Sequence, residues 1–290
     1  MSEFQNASTC LELRALVPAV SGVYRIYPWR DSQRLVDVYC DMKTQGGGWT
    51  KTLYDRYDQF YITDEADDYR IQLAGNTTGS LASTCLELHT LVPAVSGVYR
   101  IYPWRDRRRP VNVYCDMKTE GGGWTAIQRR VYGPVRFNRT WNEYKKGFGS
   151  AETEYWLGND LIHKLTVEST TSLYVSIILT NRTTLYERYG QFYITDEADG
   201  YRLHLAGHTT GSLGDSMRDS WPNWNINGMK FSTADRDNDL WPEGPCGRRW
   251  GGWWFNHCGK TFLNSDHLYT PWDPKVSKKS HIRETMMMIK

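Results

Sequence analysis

The sequence predicts an α+β protein of short capped helices and antiparallel strands, with a long loop-rich part near the C-terminus. Three observations carry this. Apolar and polar residues alternate in short runs such as SGVYRIYPW (96–104) and VNVYCDM (111–117), the period of half-buried strands. Helical spacing is confined to brief stretches behind cap residues. From Gly214 to about Pro274, Gly, Pro, Asn, Asp and Trp replace regular patterning. A loop region of that length in a compact domain is functional or needs covalent and metal staples.

Composition narrows the class. Thirteen Trp and 19 Tyr accompany a mean hydropathy of −0.62, which fits a water-exposed protein rich in flat side chains. A net charge of +2 gives no reason to invoke nucleic acid. The one dense basic run, Arg105 with Arg107 to Arg109, reads as a solvated turn before Pro110, with a polyanion patch as the alternative. Six cysteines fall into three pairs, Cys10–Cys40, Cys85–Cys115 and Cys246–Cys258, the first two at the same spacing. Even count and repeated spacing predict disulfides and an oxidising compartment. Sequons at Asn6, Asn76, Asn138 and Asn181 agree with a secreted glycoprotein. No apolar run has the length of a membrane helix. The opening MSEFQNAS has no signal-peptide core, and the extracellular assignment rests on the cysteines.

In chain order the first feature is self-similarity. Ser8–Thr50 matches Ser83–Thr125 at an offset of 75, with seven differences in 43 positions. The offset then becomes 132, and Leu53–Leu81 matches Leu185–Leu213. Residues 1–81 therefore read as a partial copy of one domain, 82–290, without counterparts of Ala126–Thr183 or of Gly214–Lys290. In each copy STCLEL predicts a capped short helix, and two alternating strands follow. Cys85 and Cys115 would clamp that helix to the second strand. Gly121–Thr125 predicts a glycine turn entering another strand; with no Lys-Ser/Thr behind them, these glycines are not a phosphate cradle. Helices are predicted over Thr140–Gly147 and Asn159–Leu165, and a buried strand over Ser172–Thr180. Gln191–Ile194 and Tyr201–Leu205 form a predicted hairpin turning at Asp196–Gly200.

The densest chemistry lies in Asp235–Asn264. Asp235, Asp237 and Asp239 alternate, a spacing that lets an irregular loop present carboxylates to a hard cation. It is no EF-hand: the sixth position is Leu240 and the twelfth Cys246. Zinc at Cys246, His257 and Cys258 is the rival, but a fourth ligand at ordinary spacing is missing. A short Cys246–Cys258 loop would enclose Trp250, Trp253 and Trp254. His163, His204 and His257 sit in no nucleophile or metalloprotease motif, so no enzyme is expected.

RTWNEYKKGFG, EYWLGNDLIHKLT, FSTADRDNDL, WWFNHC, FLN and the terminal KKSHIRETMMMIK, in that order, resemble the fibrinogen C-terminal domain across 82–290. Invertebrate tachylectin-like and ixoderin-like lectins and the ficolins look closest. The resemblance implies a disulfide-clamped N-terminal part, a central twisted antiparallel sheet and a loop-rich part that holds Ca2+ and ligand. It implies calcium on the Asp237 and Asp239 side chains and on the carbonyls of Trp241 and of Glu243 or Gly244, with Asp235 behind them.

By the same resemblance, an acetyl group would be held by N–H donors of Cys258 and Gly259 beside a cis His257–Cys258 bond. A non-proline cis bond costs roughly 3–4 kcal/mol and needs enforcement by its surroundings. Trp250, Trp254 and Tyr269 would wall the pocket, with Trp272 as a further candidate. The chain departs from the pattern at Gly259, where an aromatic residue or His is usual, at Thr261, and at Asn264-Ser265. The expected function is a secreted calcium-dependent lectin of innate immunity for N-acetylated glycans on microbial or cell surfaces, acting as a homo-oligomer because single-site affinity is weak. The alternative is a fibrinogen-like module that binds proteins without a sugar site.

Overall fold

The computed structural model describes residues 9–14, 22–26, 36–41, 49–50, 59–62 and 71–74, and then 81–290 apart from 92–94, 132, 169, 267–271, 273 and 277–281. The chain divides into two compact units, Met1–Ser80 and Leu81–Lys290.

The first unit holds α1 (Cys10–Arg14), β1 (Gly22–Ile26), β2 (Val36–Asp41), β3 (Trp49–Thr50), β4 (Gln59–Ile62) and β5 (Ile71–Ala74). Thr9 begins the helix, its hydroxyl accepting the Glu12 N–H at 3.1 Å. β1, β2 and β3 form one antiparallel sheet, and β4 and β5 a separate hairpin. Cys10 is fully buried and disulfide-bonded; the predicted pairing with Cys40 lies outside the described residues.

The second unit repeats that beginning and completes it. In α2 (Cys85–Leu91) the Thr84 hydroxyl accepts the Glu87 N–H, while Glu87 accepts the Ser83 N–H, a reciprocal cap. β6 (Gly97–Ile101) and β7 (Val111–Asp116) pair in the register of β1 and β2. The Cys85–Cys115 disulfide ties α2 to β7. β8 (Trp124–Arg130) then leads to α3 (Trp141–Lys146), β9 (Phe148–Gly149), β10 (Tyr155–Trp156) and α4 (Asn159–Thr166). α3 starts at a complete capping box, Thr140 with Glu143.

β11 (Leu173–Leu179), β12 (Thr184–Ile194) and β13 (Leu203–Gly211) follow. β12 begins before the predicted hairpin because Leu185–Tyr189 pairs with β11, burying Glu187 with its carboxylate on the Gly214 N–H. A buried glutamate breaks the apolar alternation by which such a strand is read. β14 (Phe231–Ser232), α5 (Cys246–Trp250), β15 (Trp253–Trp254) and β16 (Ile282–Ile289) complete the unit.

The main sheet is antiparallel and runs β13-β12-β11-β16-β8-β10-β9, with β7 joining β8 and β6 joining β7. β16, the last strand, lies at its centre between β11 and β8. Trp124, Trp156, Trp253, Trp254 and Trp272 are among the largest fully buried side chains. Packing is close enough that a Cβ at Gly252 would meet the Tyr144 ring at 2.4 Å.

At the outer edge of β13, Asn227 takes the place of a strand. Its carbonyl accepts the Leu205 N–H at 2.7 Å and its amide donates to the Leu205 carbonyl at 3.1 Å. Capping an edge in this way blocks pairing with other chains. It also fixes the loop that carries Trp221 and Trp224.

Candidate ligand-binding surface

The loops between β13 and β16 are stitched by side-chain amides and one disulfide. Cys246 at the start of α5 bonds Cys258, with Cα atoms 5.4 Å apart. Asn256 donates to the carbonyls of Pro222 (2.8 Å) and Asn225 (2.9 Å), and its own carbonyl accepts the Leu240 N–H. The His257 N–H donates to the Asn223 carbonyl at 3.1 Å. Three loops, around 222–225, 238–241 and 255–259, thus meet at one residue.

The surface they present is apolar. Trp221 is 66% exposed and Leu240 56%, and Trp224 and Trp241 are each 38% exposed. Trp221 and Trp224 lie 5.8 Å apart, and Trp241 stands edge-on to the His257 ring at 6.2 Å. Lys260 lies 4.1 Å from the Trp224 ring and pairs with Asp219 at 2.9 Å. Exposed tryptophans grouped beside rigid backbone are the usual anchors of a protein interface. Trp221, Trp224 and Leu240 were not singled out from the sequence; the run SWPNWN, two Trp flanking Pro-Asn in a polar stretch, was the available signal.

Two of the candidate pocket walls lie in the core. Trp254 is fully buried, donates its ring N–H to the Tyr201 carbonyl and packs on Phe231, so it belongs to the core. Trp272 is also fully buried, its ring N–H on the Gly214 carbonyl. Trp250 is half-buried and stacked on Phe262 at 4.7 Å. Tyr269 lies outside the described residues. Of the two expected N–H donors, that of Gly259 is directed to the His257 carbonyl at 2.9 Å. Cys258 adopts φ 57°, a costly conformation for a residue with a side chain, and Gly259 follows at φ 104° against Ile226. His163 is bonded to the Ile194 carbonyl and His204 is stacked on Tyr193, both away from this surface.

The acidic loop sorts its carboxylates. Asp235 accepts from the Trp141 N–H (2.9 Å) and the Thr233 hydroxyl (2.7 Å), fixing the loop to the start of α3. Asp239 accepts from the Cys246 N–H (2.8 Å) and the Trp241 N–H (3.0 Å), and the Asp239 N–H reaches Asp237 at 3.2 Å. Burial pushes the Asp239 carboxyl up to about 6 against those two N–H donors, and the Asp237 charge adds to the rise. A cation beside the pair would relieve that burden, so the donor set suits a hard ion. Among the described residues no three Asp, Glu, His or Cys side chains converge on one point. Any ion here would rest on Asp237, Asp239 and backbone carbonyls. Asn138 and Asn181 are exposed; Asn6 and Asn76 lie outside the described residues.

With this geometry in view, three comparisons bear on identity. A model of the C-terminal globular domain of fibrinogen beta and gamma chains matches residues 7–56 and 81–280. Bovine (Bos taurus) fibroleukin is 38% identical over 224 residues, 71% of this chain and 50% of that protein. Bovine angiopoietin-4 is 40% identical over 203 residues, 70% of this chain and 39% of that protein. The chain thus spans about half, or less, of the length of these curated relatives. Among solved structures, the fibrinogen-like globe domain of human ANGPTL6 superposes with a TM-score of 0.62 at 33% identity, covering 73% of this chain and 98% of that one. A lamprey fibrin D-dimer complexed with the peptide Gly-His-Arg-Pro-amide gives 0.62 at 30% identity, covering 72% and 73%.

These similarities correct the expected function. Fibroleukin, an angiopoietin and angiopoietin-like globes stand on the side of the protein-binding alternative, against a lectin for acetylated glycans. In the structure the Gly259 N–H is taken by the His257 carbonyl and Trp254 and Trp272 are buried, so one expected donor and two candidate walls are turned away from any ligand.

Proposed function

The chain belongs to the family of fibrinogen C-terminal globular domains, and from that membership we propose that it is an extracellular, non-catalytic module that binds a protein or peptide partner. The observation that carries this reading is the exposed group Trp221, Trp224, Leu240 and Trp241 around His257, fixed from three loops by Asn256. Support comes from the fibroleukin and angiopoietin similarity and from the peptide bound by the lamprey fibrin relative. Placement outside the cell accords with the paired cysteines and with the absence, among the described residues, of a helix long and apolar enough to cross a membrane.

Calcium is part of the proposal. Asp237 and Asp239 would hold it with the carbonyls of Trp241 and Gly244, and its charge would offset that of two neighbouring carboxylates. Asp235 would act behind them by tying the loop to α3. The residues bind and orient; no proton or group transfer is assigned to them.

Selection of random displayed peptides on the immobilised chain tests the reading. Enriched peptides should bind the native protein and lose at least about tenfold in affinity on Trp241→Ser or Trp221→Ser, the size expected of aromatic anchors. Peptides that bind both variants as well as the parent would place recognition elsewhere.

A further inference from the structure

The two copies of the β-hairpin near the start of each unit differ in charge at the tip. Residues 105–112 read RDRRRPVN, four arginines against Asp106, a net charge of +3. The matching residues 30–37 read RDSQRLVD, two arginines against two aspartates, a net charge of zero. Of the seven differences over the 43 matched positions, four fall in this stretch; three of those four alter charge, each in the positive direction, whereas Arg14/His89 and Gln45/Glu120 outside it go the other way. At the third of these, strand register gives the change a meaning. Arg25 faces Asp37 across the first hairpin, whereas Arg100 faces Asn112 across the second. An opposite charge directly across a strand pair partly neutralises its partner, and the second hairpin has replaced it by an amide.

The fold presents the resulting charge outward. Asp106 accepts the Arg108 N–H at 2.9 Å and its guanidinium at 3.2 Å, which shapes the turn while the Arg108 side chain stays 90% exposed. Arg105 pairs with Glu87 at 2.8 Å and remains 57% exposed. Arg109 lies 3.9 Å over the Trp104 ring and covers its face. Arg107 and Arg100 are exposed. Over residues 100–112 of the hairpin five guanidiniums stand against one carboxylate, Asp106, with Glu87 of α2 pairing Arg105, which leaves an excess of positive charge on one narrow tip.

We propose that the β6–β7 hairpin tip is a docking site for a linear sulfated polysaccharide. Guanidinium groups match the planar oxygen pairs of sulfate and give up little hydration in doing so. A disulfide-bonded chain points to extracellular polyanions over nucleic acid. An anionic membrane fits less well, because Arg109 screens the tip's one tryptophan and, of the exposed residues 105 and 107–110, only Pro110 is apolar. The ligand is held by charge at the hairpin, with no part played by the acidic loop or the aromatic surface.

The test is retention of the full chain on heparin across a salt series, beside Arg107→Ser/Arg108→Gln, which installs the residues found at those places in the first copy. The parent should be retained. The variant should bind about tenfold more weakly, and its log–log salt slope should fall by about two, one for each anion contact removed. EDTA should change neither, and Arg136→Ser, an exposed arginine outside the hairpin, should behave as the parent. Arg107→Ser alone provides a milder variant should the double change disturb the turn, and should lower the slope by about one. Equal retention of parent and tip variants would overturn the proposal. So would equal retention on desulfated heparin, or tip-dependent binding to equimolar phosphatidylcholine–phosphatidylserine vesicles without binding to heparin.

Discussion

Arg130 shows how much of this molecule depends on single residues. It is 2% exposed, donates to the carbonyls of Leu263 and Ser265 and to Asp266 at 2.7 Å, and lies 4.2 Å over Phe137. Asp266 also accepts the N–H groups of Phe137 and Asn138, so one ion pair joins β8, the loop before α3 and the loop after β15. Asp266→Ala should destabilise the protein by about 3–5 kcal/mol in urea unfolding, the cost of leaving a buried charge without its partner. Glu143 gives a pH dependence. The Thr140 N–H, the Arg139 guanidinium and the Thr140 hydroxyl hold its carboxyl at about 2, below its ordinary value. A depressed carboxyl contributes stability above its unfolded value of roughly 4.3 and loses that contribution as pH falls from there towards 2. The melting temperature of Glu143→Gln should therefore fall less than that of the parent over that window. At the acidic loop, saturating calcium should raise the parent's stability by about 2.7 kcal/mol at a hundredfold excess over Kd. Asp239→Ala should abolish the increment, and a parent whose melting ignores both calcium and EDTA would refute that assignment.

At the scale of elements, legibility followed periodicity. β6, β7, α3 and α4 lie where alternation or helical spacing predicts them, and β11 lies where an apolar run predicts a buried strand. β12 was only half legible, since Glu187 and Arg188 interrupt its alternation while backbone pairing with β11 continues. The loop-rich part was legible as loops and as a disulfide, since composition and cysteine spacing are local properties. Which tryptophans face out was not, because only tertiary packing puts Trp241 on the surface and Trp254 against Phe231. The fate of the Gly259 N–H is likewise set by backbone dihedrals that no residue pattern announces. The disulfide that closes this region spans 12 residues. Cys246→Ser/Cys258→Ser should cost on the order of 3 kcal/mol from chain entropy, together with peptide binding at the Trp241 surface. Loss of stability without loss of binding would separate the bridge from the site.

For the molecule as a whole, the position of β16 governs assembly. The last strand is hydrogen-bonded on both sides, to β11 and to β8, which lie far apart in sequence. The sheet therefore cannot close until β16 is available, a non-local step that slows folding. The sheet is complete within Leu81–Lys290, and that unit produced alone should keep the melting midpoint of the full chain. The family and its antiparallel core were legible from motifs spread over 139–290, but the class of ligand was not, since the same loops can frame a sugar pocket or an aromatic face.

The most direct measurement is calorimetric titration of the purified chain with a peptide selected on it, in parallel with Trp241→Ser and with N-acetylglucosamine as competitor. Saturable heat that the variant loses at least about tenfold, and that the sugar does not displace, is the predicted result. Heat that survives in Trp241→Ser, or that N-acetylglucosamine abolishes, would contradict a protein-binding surface built on Trp221, Trp224, Leu240 and Trp241.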